Sequence, residues 1–301
     1  MSPHLDVLLA GCYTLDLIFT GLPDMPRLGS ELFASGFDIL PGGAFNTAYA
    51  LNRLGIRIGW ACDFGIDFAS QFVLQAASEA GIDQSFFRIH EDSRRFVTAA
   101  LSFPHDRAFV SYVEGYERAI PIDDVERSRP RWLMLPHLYH GPQALEALAA
   151  AHRGGSRVFM DCQSVEVTLQ GPGVADALSA VDAFAPNEPE ALKLTGADTV
   201  ESALDQLAGI TPLVVIKRGP RGAMAKEGGK TSQQPALAVE VVDTTAAGDC
   251  FNAGFLYGAL KGMPLDTCLR IGNACGALAT TKRGCLGAPT PEQLAELVKV
   301  G

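Results

Sequence analysis

The apolar run at residues 5–10 stops at Gly11 and predicts a first strand. From Leu17 to Ile39 the chain is punctuated by glycine and proline. Its short apolar pieces, residues 17–20 and 31–40, fit strands and lack helical periodicity. Two further short strands are predicted at residues 96–103 and 108–113, on either side of a turn at 105–107. Between these two sets, residues 42–55 place Ala48, Leu51 and Leu54 on one face of a helix. From about Pro130 the pattern changes to alternation. Strands around 131–135, 157–161, 182–187 and 212–217 are interleaved with helices at 142–152, 174–179 and 188–194, and a further helix precedes Pro212. Such alternation predicts a parallel sheet covered on both faces. Ligands of these sheets sit at the carboxyl ends of the strands, where Asp161, Asn187, Lys217 and the turn before Asp249 are expected.

Two turns of small residues carry the candidate chemistry. Residues 243–256 read DTTAAGDCFNAGFL, in which Ala246, Ala247 and Gly248 leave the backbone N–H groups at the start of a helix open to a ligand. Helix dipole and unpaired amides favour phosphate or developing negative charge there. Asp249 beside them can accept a proton from an attacking hydroxyl. The same carboxylate also fits a plain helix cap. The second turn, GGAFNTAYALNRLG at 42–55, again runs from glycines through Asn46 into a helix, and an amide can both donate to and accept from hydroxyl groups.

Together the two stretches resemble the signature motifs of the PfkB, or ribokinase-like, sugar and nucleoside kinases, and the likeness runs over nearly the whole chain. The resemblance implies a three-layer α/β fold: a mostly parallel central sheet with helices on both faces, plus a small β-sheet lid. It implies one domain over residues 1–301, with lid segments at about 12–38 and 95–115. The implied activity is ATP-dependent phosphorylation of a hydroxymethyl group on a sugar or sugar-like acceptor. A nucleoside kinase of the same family and a non-catalytic sugar- or nucleotide-binding regulator are the alternatives.

Carried over residue by residue, the resemblance makes Asp249 the base and the amides of Ala246, Ala247 and Gly248 the anion hole. Asp16, Gly42, Gly43 and Asn46 would hold the acceptor, with His137 tuning specificity. Asn187, Lys217, Gly219, Gly222 and Asn273 fall on the ATP side, and Glu190 would act on Mg²⁺ through water. Asp243 and Thr245 mark the place of a K⁺ ion. Lid strands need covering, which points to a homodimer through the lid. Read alone, Asp16 is also a strand-end aspartate, Asn187 with Glu190 a helix-capping pair, Gly219 to Gly222 a β-turn and Asn273 an exposed helix asparagine.

Two departures from the family pattern stand in this chain. Ala246 occupies a position where the family has glycine, and alanine tolerates positive φ poorly. Asp161, Gln163 and Val165 replace the common D-x-N-x-R, which removes an arginine near phosphate. Other phosphate motifs fail. GGKT at 228–231 has Met224 where a Walker A loop needs its leading glycine, and no GxGxxG follows a strand. His137 and His140 lack a third metal-ligand candidate.

With 48% hydrophobic and 19% charged residues, the 301-residue chain is expected to bury a large core. A net charge of −10 argues against nucleic acid and anionic membranes as partners. The start lacks a basic segment and a signal-length apolar run, and no transmembrane stretch is read elsewhere. Seven cysteines without a CxxC indicate neither a disulfide framework nor zinc, so a reducing cytoplasm is the expected setting.

Overall fold

The structure, a computed structural model, describes residues 5–104, 107–115, 120–163 and 166–297. In chain order the strands are β1 (Val7–Ala10), β2 (Tyr13–Thr20), β3 (Gly36–Gly43), β4 (Ile58–Phe64), β5 (Phe87–Ile89), β6 (Phe96–Ser102), β7 (Arg107–Val113), β8 (Trp132–Leu135), β9 (Arg157–Met160), β10 (Ala183–Phe184), β11 (Leu213–Lys217), β12 (Ala223–Glu227) and β13 (Lys230–Gln234). The helices are α1 (Ala44–Arg53), α2 (Phe68–Glu79), α3 (Ile122–Ser128), α4 (Pro142–Arg153), α5 (Val174–Ser179), α6 (Glu188–Thr195), α7 (Val200–Ala208), α8 (Ala247–Leu260), α9 (Leu265–Ala279) and α10 (Pro291–Leu297).

One sheet has nine strands in the order β13-β12-β11-β10-β9-β8-β1-β4-β5, parallel from β11 to β5 and antiparallel only at β12 and β13. Its central strands are apolar throughout because both faces are covered. Val7 and Leu9 of β1 point into one core with α1, α8 and α9, whereas Leu8 and Ala10 point into the other with α4, α6 and α7. Helix α8 is buried nearly all round. It lies close against α9 because glycines stand at the crossing. A Cβ on Gly254 would come within 2.5 Å of Cys275 Sγ, and one on Gly272 within 2.9 Å of the Phe251 ring. The strand expected at 182–187 shrinks to the two residues of β10, because Pro186 ends it. The Pro186 carbonyl instead accepts from Lys217 N, which sets the end of β11 beside Asn187.

The second sheet is the small one, in the order β3-β2-β6-β7. Its first segment reaches Gly43, five residues beyond the expected 38, so Gly42 and Gly43 belong to its edge strand. Arg107 is the first residue of β7 rather than part of a turn; the turn residues 105 and 106 lie outside the described residues. Side chains alternate between the faces of a sheet, and cross-strand partners share a face. The register therefore puts Asp16, Leu40, Thr98 and Ser111 on one face, confirmed by a 3.0 Å contact between the Thr98 and Ser111 hydroxyls. Leu17, Ile39, Ala99 and Val110, with Phe19 and Phe37, make the other face, and it is apolar throughout.

Candidate active site

The turn before α8 is built around one carboxylate. Asp243 accepts from Thr245 N (2.9 Å), Thr245 Oγ1 (2.7 Å) and Gly284 N (2.9 Å), so it ties the turn to the loop after α9. The chain then enters α8 through Ala246 at φ 62° and ψ 2°, a left-handed residue. This alanine therefore stands in the positive-φ region that alanine tolerates poorly. The amides of the first helical turn that follow, at Ala247, Gly248 and Asp249, have no partner within the helix.

Asp249 does not cap α8. Its Oδ1 accepts from Thr47 Oγ1 at 3.2 Å and its Oδ2 from Asn46 Nδ2 at 3.4 Å, both from the first turn of α1. Burial, reinforced by the charge of Asp161 and opposed by Lys217, Thr47 and Asn46, pushes its carboxyl up to about 7. Asn46 is 4% exposed, and its Oδ1 is a buried oxygen with no hydrogen-bond partner.

A cleft of about 610 Å³ opens from this turn. Asn187, Glu190, Lys217, Gly219, Gly222, Asn273, Ala247, Gly248 and Asp249 all line it, so every expected ATP-side residue meets there. On its floor Lys217 Nζ donates to Asp161 Oδ2 (2.7 Å) and Asn252 Oδ1 (3.4 Å), and Asn252 Nδ2 donates back to Asp161 Oδ2. A Cβ on Gly248 would stand 3.6 Å from the same ammonium, so Lys217 lies beside the turn as well. Glycine is required at 222, where φ is +82° and a Cβ would fall 2.1 Å from Gln234 O. Leu237, Val239, Val241 and Ala277 give the cleft apolar lining as well.

Asn273 takes another position than the bare motif suggests, whereas Asn187 and Glu190 take the capping place and also line the cleft. Asn273 is 7% exposed rather than a surface asparagine, and its amide holds the carbonyls of Gln234 and Pro235 at 3.0 Å each. Asn187 and Glu190 form a complete capping box on α6 (2.8 and 2.9 Å) while still lining the cleft.

The acceptor-side residues do not line that cleft: Asp16, Gly42 and Gly43 lie on the lid and Asn46 at the start of α1. Asp16 accepts from Thr14 Oγ1 at 2.7 Å, and burial, with a further push from the charge of Asp243, raises its carboxyl to about 6. It lies against Gly42, where a Cβ would meet Asp16 Oδ2 at 2.1 Å; Gly43, at φ +62°, gives the turn into α1. Asn46 follows directly and joins this side to Asp249. His137 sits just past β8, half-buried beside the Tyr139 ring, and does not line the cleft. Gln163 lines the cleft, and Val165 lies outside the described residues. Among the described residues no group of three or more His, Cys, Asp or Glu is placed to hold a metal, and no helix is long and apolar enough to cross a membrane.

Three residues of the site were not singled out in the sequence. Thr47 holds the Asp249 carboxylate. Asn252 stands three residues after Asp249, a buried polar residue in an otherwise apolar helix, and that contrast was the available signal. Arg107 of the lid donates to Thr245 Oγ1 at 2.9 Å, a contact with no trace in local sequence.

The pfkB family carbohydrate kinase pattern matches residues 34–293. The chain belongs to this family. Family members are phosphotransferases with an alcohol group as acceptor, sugar and nucleoside kinases among them. The cytidine kinase of Thermococcus kodakarensis is 43% identical over 279 residues, covering 86% of this chain and 93% of that protein. The ribokinase of Haemophilus influenzae is 25% identical over 291 residues, covering 92% and 94%. The structure of Arabidopsis thaliana ribokinase complexed with ribose and ATP superimposes with a TM-score of 0.83 over 99% of this chain and 100% of that one, at 20% identity. The nine-stranded sheet with its separate four-stranded sheet is thus the ribokinase fold.

Proposed function

We propose that this kinase transfers the γ-phosphoryl group of ATP to a hydroxymethyl group of a sugar or nucleoside, with Asp249 as the general base. The observation that carries this reading is the placement of one carboxylate, raised to about 7, in the α8 turn, where it lines the cleft and is held by Asn46 and Thr47 of α1. A base near neutrality removes a hydroxyl proton most effectively at physiological pH. The amides of Ala246, Ala247 and Gly248, at the positive end of α8, stabilise the charge on the transferring group. Lys217 stands beside them. Gly219, Gly222, Asn187 and Asn273 shape the nucleotide side of the cleft.

Asp16, Gly42, Gly43 and Asn46 hold the acceptor. The unpaired Asn46 Oδ1 is a buried acceptor that a substrate hydroxyl would satisfy; left bare, such an atom costs about 1–3 kcal/mol. His137 has the weaker place in this reading, since it enters only as a neighbour past β8. For Mg²⁺ the donor set fits: the Glu190 carboxylate lines the cleft, and hydrated Mg²⁺ needs few direct protein ligands. When bound, the ion offsets phosphate charge. For K⁺, the Asp243 carboxylate is engaged with Thr245 and Gly284, so the side chain shapes the loop pair and backbone carbonyls remain as donors. Rates should rise moderately in potassium; equal rates in sodium, potassium and a bulky organic cation would remove the cation from this account.

The experiment is a coupled ADP-release assay with a panel of sugars and nucleosides. Cytidine belongs in that panel because of the 43% identical relative. ADP release that depends on one acceptor supports the reading, and no ADP release with any acceptor favours a non-catalytic regulator strained at Ala246.

A further inference from the structure

The edge strands of the lid are tied to the turn that precedes α8 and to the loop after α9 that packs on it. On β7, Arg107 Nη1 donates to Thr245 Oγ1 at 2.9 Å and lies 3.7 Å from Asp243 Oδ1. On β3, Asp38 pairs with Arg283, the residue before Gly284, whose amide donates to the other oxygen of Asp243. Asp243 is the anchor that joins the two loops: its carboxylate shapes the turn, meets Arg107 of the lid and holds the amide next to Arg283, the partner of Asp38. The inward-facing register of Arg107, opposite Ser102 and on the face of Asp16, makes this contact a property of the lid's site-facing side.

We infer that Arg107, seconded by the Asp38–Arg283 pair, is a latch that couples closure of the lid to the shape of the anion-binding turn. This rests on the phosphotransfer reading for its consequence but not for its geometry. Thr245 immediately precedes the left-handed Ala246, a strained residue that neighbouring contacts must hold in place. A guanidinium on the Thr245 hydroxyl supplies one such contact, and it is made when the lid is down. The latch so links two requirements of phosphoryl transfer. The lid must keep water from the γ-phosphate, and the amides must be set for the developing charge. When the latch is broken, water reaches the γ-phosphorus in place of the acceptor hydroxyl. Its oxygen bonds to phosphorus, the bond to ADP breaks, and its proton passes to Asp249. ATP is then hydrolysed instead of used. Arg107 is in this sense a positioning residue: it acts through Thr245 and the lid.

The test compares the wild type with Arg107→Met, Arg107→Lys and Asp38→Asn, each first checked for a cooperative thermal transition. Hydrogen exchange of the lid strands, without substrate or nucleotide, reads the latch directly. Exchange over β3, β6 and β7 should rise about tenfold in Arg107→Met, the scale of a lost charge-assisted hydrogen bond, less in Asp38→Asn, and recover in part in Arg107→Lys. The ratio of ATP hydrolysed without acceptor to ATP transferred should rise by a similar factor in Arg107→Met. Unchanged lid exchange in Arg107→Met overturns the latch. Increased exchange with an unchanged hydrolysis ratio overturns its coupling to the turn. A wild type that transfers phosphate to no acceptor sinks the phosphotransfer reading alone, since the exchange comparison still decides the latch.

Discussion

Lys217 Nζ lies 2.7 Å from Asp161 Oδ2, and this ion pair, with side chains only 11% and 4% exposed, sets the electrostatics of Asp249. Burial raises the Asp249 carboxyl most, and on top of it Asp161 raises it further and Lys217 lowers it. Replacing Asp161 with asparagine leaves the ammonium to act on Asp249 alone, so the base should ionise at lower pH. For the wild type, kcat/KM should rise with pH through about 7, losing roughly tenfold per unit below it. In Asp161→Asn that limb should move down in pH. The substitution also breaks a buried pair and should cost about 3–5 kcal/mol in denaturant unfolding. An acid limb that stays in place would show that Asp249 is not the group that titrates.

Stability has its own pH dependence. Asp249 and Asp16 bind protons more tightly folded than unfolded, since burial lifts their carboxyls to about 7 and about 6 from an ordinary aspartate value of 3.8. The native state thus holds more protons than the unfolded state above pH 3.8, up to those values. Their contribution to unfolding free energy falls as pH rises through that window. Asp16→Asn and Asp249→Asn should each flatten the decline, as read from unfolding midpoints between pH 4 and 8.

Much of this arrangement was legible in sequence, for physical reasons. Residues 213–216 read as an inner strand because a parallel strand covered on both faces must be apolar throughout. The turn before α8 read either as a ligand site or as a plain helix cap, and the likeness of this stretch and of residues 42–55 to the family's motifs favoured the ligand site. Thr47 was silent, since a threonine in a helix is ordinary and its partner lies 202 residues away. Arg107 was silent for the same reason: its contact joins positions 138 residues apart. Asn187 and Glu190 supported two readings, and the structure realises the capping geometry on a residue pair that also faces the cleft.

Ala246→Gly should stabilise the protein. A left-handed alanine costs about 1–2 kcal/mol, and glycine gives back about 0.5–1 kcal/mol through the freedom it has when unfolded. The net gain is roughly 0.5–1 kcal/mol in denaturant unfolding, with turnover equal or higher. A lower midpoint would mean that the neighbouring contacts require the methyl group.

The outer face of the lid should bury itself against a second copy. Phe37, Ile39, Val110 and Tyr112 are 51%, 41%, 65% and 55% exposed on one apolar sheet face, the kind of surface that closed assemblies cover. Sedimentation at micromolar concentration should show a dimer. Ile39→Asp with Val110→Asp should give a folded monomer. A wild type that already sediments as a monomer would leave this face without a second copy.

The central claim is that Asp249 removes the acceptor proton, and Asp249→Asn tests it most directly. The amide keeps the volume and loses the negative charge and the basic oxygen. ATP affinity by calorimetry should hold or strengthen, because the change relieves repulsion from the triphosphate and leaves the Gly219 turn and the α8 amides in place. Turnover by ADP release should fall about 10²–10⁴-fold, the contribution of a positioned general base. A mutant that binds ATP and keeps wild-type kcat would contradict the mechanism and leave Asp249 a structural residue between α1 and α8.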